Sequence, residues 1–95
     1  YRDVTYTVET LLLNAEWDSA TNSSVIHASM PLDRFEVSVL DNTTYLEKYY
    51  FSVPYTGYNR LEFLLYNETV PSASASAEEK MESAYRDLHL WIKVN

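Results

Sequence analysis

RLEFLLYN (residues 60–67) and YRDLHLWIKVN (residues 85–95) decide the fold. In the first, Leu61, Phe63 and Leu65 alternate with Glu62, Leu64 and Tyr66. In the second, Leu88, Leu90, Ile92 and Val94 alternate with Asp87, His89, Trp91 and Lys93. A period of two places successive side chains on opposite faces of a sheet, so both segments read as strands. Two such strands form a hairpin, yet ETVPSASASAEEKMESA separates them instead of a tight turn. The PSASAS stretch has linker composition and is expected to be mobile. The remainder is a helix candidate: Ser76 with Glu79 fits a capping box, and Ala77, Met81, Ala84 and Tyr85 share one side of a helix. The hairpin is therefore expected to carry an insertion over residues 71–85, part linker and part short helix.

Outward from this hairpin the alternation recurs. Val4, Tyr6 and Val8 alternate with Thr5, Thr7 and Glu9, and the run Leu11, Leu12, Leu13 then suggests a bulge, a sheet switch or an end covered on both sides. NAEWDSATNSS is turn chemistry. SVIHASM is a short strand stopped by Pro31. DRFEVSVL places Phe35, Val37 and Val39 on one face, and DNTT follows as a turn. EKYYFSVPY groups Tyr49, Phe51, Val53 and Tyr55, with Pro54 marking an edge or an end. TGYN, holding the chain's single Gly, is the next turn. These six strands and one helical turn predict an all-β fold, an immunoglobulin-like antiparallel β-sandwich with a short helical insertion in the last hairpin. A barrel is the alternative. The phase predicts a core of Leu61, Phe63, Leu65, Leu88, Leu90 and Ile92, with Val37 and Phe51 opposite. Leu64 and Trp91 then point outward together, and Met81 or Tyr85 folds back to cover Trp91 while Glu78, Glu79 and Glu82 face solvent.

Composition bounds the function. Ninety-five residues with 46% hydrophobic and 15% aromatic content form one domain, residues 1–95, with a single core. With no Cys there is neither a disulfide framework nor a thiolate metal site. A net charge of −7, with scattered basic residues, argues against nucleic acid and against an anionic membrane surface. LLL and FLLY are too short to span a bilayer, so this segment is not expected to insert directly. One Gly excludes a GxSxG elbow and phosphate-cradling loops. Glu78 and Glu79 fall in a stretch too flexible for acid–base work. His27 and His89 lie on different strands without HxH or HExxH spacing, and read as strand-face residues. The acidic turns at Asp18 and Asp41 lack the calcium-loop pattern. No catalytic, cofactor-binding or metal residue is expected, and the chain is not expected to be an enzyme.

The two opening segments also carry a resemblance. NRLEFLLYN and YRDLHLWIKVN resemble the end of the archaeal domain of unknown function 1616 family (DUF1616). That family reads Lys or Arg before LEFLLY, a variable loop, then YRSLHLW and a Val-rich strand. VTYTVE (4–9) and LDRFEV (32–37) are similar to its internal strands, so the resemblance covers nearly the whole chain. The loop before Tyr85 is longer here. The resemblance implies a C-terminal extracytoplasmic β domain following several membrane helices. The strand-like start leads to the expectation of a soluble fragment of a longer membrane protein, lacking the first strand. The family carries no assigned activity, so no site residue transfers.

Two functional readings follow. The leading one is a protein-interaction module at the cell envelope, contacting its own membrane helices, an oligomeric mate or surface-layer proteins. The alternative is a glycan or small-ligand binding module using surface aromatics. Trp17, Tyr50, Tyr58, Leu64 and Trp91 are the candidate interaction surface. Tyr49 and Tyr55, at alternating spacing, belong to the core instead. Three sequons, at Asn22, Asn42 and Asn67, all in predicted turns, are candidate N-glycosylation sites. A concavity gathering aromatics favours ligand binding, whereas a flat apolar patch favours a protein partner.

Overall fold

The computed structural model describes residues 4–38 and 48–95. They form a mostly β fold: β1 (Thr5–Asp18), β2 (Ser23–Ser38), β3 (Gly57–Tyr66), α1 (Ala77–Ser83) and β4 (Arg86–Val94). The strands make one antiparallel sheet in the order β2-β1-β3-β4. Four strands, not six, are present among the described residues, in one sheet. Val39, the turn at 41–44 and Asn42 lie outside the described residues.

Each difference from the expected strands has a local cause. NAEWD is not a turn but the end of β1, paired to β2 as far as Asp18 and Ser23. The chain turns at residues 19–22, where Asp18 Oδ1 accepts from the Ala20 N–H at 3.0 Å and Asn22 takes a positive φ of 56°. Pro31 does not stop β2, because β2 is an edge strand and an edge tolerates a missing N–H. The register slips twice. Thr10 faces Asp33 but Leu11 faces Pro31, and Asn14 faces Ala28 but Ala15 faces Ile26. Leu32 and His27 are thus the extra residues of two bulges. Leu11, Leu12 and Leu13 are all buried, because interior β1 is covered on both faces.

Of EKYYFSVPY, the described residues from Lys48 onward are not a strand: residues 48–56 have no ladder. Its alternation survives, with Tyr49, Phe51, Val53 and Tyr55 half-buried and Lys48, Tyr50, Ser52 and Pro54 exposed. Side-chain contacts and amide bonds tie the segment to one sheet face. Tyr49 OH shares a 2.7 Å hydrogen bond with Thr10 Oγ1 and donates to Asp33 Oδ2 at 2.5 Å, and its ring meets Phe63 edge-on at 5.7 Å. Asn59 Nδ2 donates to Tyr55 O at 3.0 Å, and Asn14 Nδ2 donates to Thr56 O at 3.1 Å. Gly57, at φ 86°, makes the bend into β3, a conformation that favours glycine.

The core lies on the other face. Leu11, Leu13, Ala15, Leu64, Tyr66 and Ala77 form it, with Ile26, Met81 and Ala84 packed around. The expected alternation is correct, but the face of deepest burial is not the expected one. Leu64, expected outside, is fully buried, whereas Leu88 and Leu90, expected in the core, are 70% and 60% exposed. Of the expected core only Leu61 is buried; Phe63, Leu65, Ile92, Val37 and Phe51 are half-buried. The cause is α1, which docks over β3 on the Leu64 side, while residues 48–56 leave β4's Leu88 and Leu90 bare.

The insertion forms as a cap and a seven-residue helix. Ser76 Oγ accepts from the Glu79 N–H at 3.1 Å, and Glu78, Glu79 and Glu82 are exposed. PSASAS is a hydrogen-bonded turn and not a loose linker. Pro71 is buried, the Ala75 N–H donates to Ser72 O at 3.0 Å, and Lys80 Nζ donates to Ala73 O at 2.8 Å.

Candidate functional site

Three strands end near one another at the pole of the sheet away from the 71–76 turn, and each brings an aromatic. Trp17 comes from β1, Tyr58 from β3 and Trp91 from β4. With Glu16 they line a hollow of about 360 Å³. The three rings are 58%, 51% and 41% exposed, so water covers them only in part. Such a concavity, apolar with one carboxylate, is the common form of a small-ligand site.

Cations lie over two of the three rings. The Arg60 guanidinium lies 5.4 Å from the Trp91 ring centre, and Lys93 Nζ lies 5.4 Å from that of Tyr58. Arg60 is itself fixed, donating to Ser24 Oγ at 3.3 Å and to Met81 Sδ at 3.5 Å, and pairing with Glu62. The expected lid is thus corrected in detail. Met81 reaches Arg60, and it is Arg60 that lies over Trp91. Tyr85 is exposed, carries Arg86 over its own ring at 4.5 Å, and anchors instead through its N–H to Leu65 O at 2.7 Å.

Away from the cleft, two carboxyl groups are buried in the helix-side face. Glu9, 3% exposed, accepts from Tyr66 OH at 2.7 Å and Arg34 at 2.8 Å, and pairs with Lys80 at 2.9 Å. Burial alone would raise its pKa. The hydrogen bonds from Lys80, Tyr66 and Arg34 together outweigh burial and hold the carboxyl below the ordinary value. The same burial, with the Glu9 charge, pushes the Tyr66 phenol well up. This network clamps α1 to β1 and β3.

The second group is Glu62, fully buried, with its Oε1 against Arg60 Nε. Neither carboxylate oxygen, nor Arg60 Nε, has a hydrogen-bond partner among the described residues, and Oε2 lacks even the ion-pair contact that Oε1 makes. Burial pushes this carboxyl up to about 8, the neighbouring Asp87 carboxylate adds to the shift, and Arg60 opposes it. Across the ladder Glu62 faces His89, whose Nδ1 lies 4.0 Å from Oε2 and 3.7 Å from Asp87 Oδ1.

Among the candidate residues, the structure unites Trp17, Tyr58 and Trp91. Tyr50 is 84% exposed but belongs to the 48–56 segment and does not line the hollow, and Leu64 is buried beneath α1. Asn22 and Asn67 are exposed. His27 lies 3.3 Å from Glu16, and His89 joins Glu62 and Asp87. Sequence reasoning missed the Glu9 network, the Glu62 group and the roles of Arg60 and Lys93. The available signal was a set of charges in phase with buried residues: Glu9 with Leu11 and Leu13, and Glu62 with Leu64.

A protein-family model, Domain of unknown function (DUF1616), matches residues 1–93. No curated protein and no solved structure matches the chain.

Proposed function

The chain belongs to the DUF1616 family, and on that premise we propose a non-enzymatic binding module whose aromatic cleft takes a glycan or a small ligand of similar surface chemistry. The observation that carries this reading is the convergence of Trp17, Tyr58 and Trp91 with Glu16 around one hollow of about 360 Å³. Flat indole and phenol faces stack on the apolar C–H faces of a sugar ring. A carboxylate at the rim accepts its hydroxyl protons. The resemblance to the archaeal family supports an envelope setting, on the extracytoplasmic side of a membrane protein. No helix among the described residues is long and apolar enough to cross a membrane. The exposed Asn22 and Asn67 suit N-glycosylation in the same setting.

A second reading rests on the opposite face. Leu88 and Leu90, exposed on edge strand β4, form an apolar strip suited to a protein partner at the cell envelope or to the protein's own membrane helices. The finer fold reading has the same support. In an immunoglobulin-like sandwich a second layer lies over such a strip.

The chain's only two tryptophans both line the cleft, so intrinsic fluorescence reports on it directly. Titration with a panel of neutral hexoses and their methyl glycosides should give a saturable change with at least one sugar. Tyr58→Ala should abolish that change while the protein remains folded. A flat response across the panel refutes glycan binding. Leu88→Asp that converts an oligomer or a captured complex to monomer, with a silent cleft, favours the partner reading.

A further inference from the structure

We infer that Glu62, Asp87 and His89 form a binding site for one zinc-class divalent cation, a site outside the cleft whose argument does not rest on the function proposed for it. The three residues bring one ligand atom each within 4.8 Å of one another. The backbone explains the convergence. Glu62 on β3 and His89 on β4 are direct cross-strand partners, and Asp87 lies two residues from His89, hence on the same face. The closest pairs, His89 Nδ1 to Asp87 Oδ1 at 3.7 Å and to Glu62 Oε2 at 4.0 Å, are already near ligand spacing. Donors held about 2.0–2.2 Å from a tetrahedral zinc lie roughly 3.3–3.6 Å apart. Small side-chain rotations of Asp87 and His89, which are 35% and 44% exposed, close the difference.

The second observation is Glu62 itself. Its side chain is wholly buried, and Oε2, which faces the His89 ring, has no hydrogen-bond partner among the described residues. A buried acceptor left unmatched costs free energy, and a cation satisfies it. Arg60 Nε lies against Oε1, on the side away from the His89 ring, so it does not fill the Oε2 position. The donor set, one imidazole nitrogen and two carboxylate oxygens, selects a borderline cation over the all-oxygen preference of calcium and magnesium. Three protein ligands leave a coordination position open, and the exposed Asp87 and His89 side chains give solvent access to it.

The test uses the whole chain after chelator dialysis. Calorimetric titration with zinc chloride should show one equivalent bound, with magnesium and calcium chlorides much weaker. Amide-resolved NMR of the wild-type protein should place the largest shifts at residues 62 and 87–89, a readout that needs no variant. His89→Ala and Asp87→Asn, both partly exposed positions, should each weaken binding at least about tenfold. His27→Ala, which removes the other histidine–carboxylate pair, should leave binding unchanged. The inference is overturned by no zinc uptake, by shifts centred on His27, by binding that survives His89→Ala, or by magnesium or calcium binding as tightly as zinc.

Discussion

Replacing Glu9 by Gln keeps the shape of the side chain and removes its charge from the most deeply buried ion pair among the described residues. Lys80 Nζ, 1% exposed, has Glu9 Oε2 at 2.9 Å and Ala73 O at 2.8 Å as its partners. At 2.9 Å the bare attraction is about 6 kcal/mol with an effective dielectric of about 20. Desolvation already offsets part of this, so the loss comes from stranding the lysine. Breaking one side of a buried pair costs about 3–5 kcal/mol. Total stability for a domain of this size is about 5–14 kcal/mol, so Glu9→Gln should bring the protein near its unfolding threshold. Urea unfolding followed by tryptophan fluorescence measures the loss as a shift in midpoint. Lys80→Met alone should cost less, because Glu9 retains Arg34 and Tyr66. The double variant should recover much of the Glu9→Gln loss, since Lys80→Met removes the stranded ammonium and leaves no unpaired buried charge on the helix. A Glu9→Gln loss below about 1 kcal/mol, or costs that simply add in the double variant, would refute the clamp.

Three further outcomes follow from the same geometry. Glu9 is held below its ordinary pKa, so its contribution is complete above the unfolded carboxylate value and disappears as pH falls through the folded one. Acid titration of stability should therefore be shallower in Glu9→Gln than in wild type, and equal slopes would contradict the shift. Leu64→Ala should cost about 2–5 kcal/mol, because Leu64 is fully buried under α1, and calorimetric melting checks it. Leu88→Ala, at a 70% exposed position, should cost less than about 1 kcal/mol; a reversed order would place the core on the other face. Ser76→Ala removes the cap of a seven-residue helix and should cost about 1 kcal/mol, seen as faster amide exchange across residues 77–83.

Alternation is a local property of the chain, and the sequence alone carried it. The strand character of residues 5–9, 60–66 and 87–94 and the facing of Tyr49, Phe51, Val53 and Tyr55 were all readable, as was the Ser76 cap. So were the family and the aromatic character of the surface. Alternation separates two faces but does not say which is buried deeper, because both faces of β3 and β4 carry large apolar residues. Docking of α1 decided that, and it turned on Lys80 reaching Glu9 across a separation of 71 residues in sequence, a pairing no local pattern encodes. Tertiary structure likewise made β2 one edge strand through Pro31, drew Trp17, Tyr58 and Trp91 into one cleft, and set His89 opposite Glu62. Each of these depends on register across the sheet, which long-range pairing fixes and a period of two leaves open.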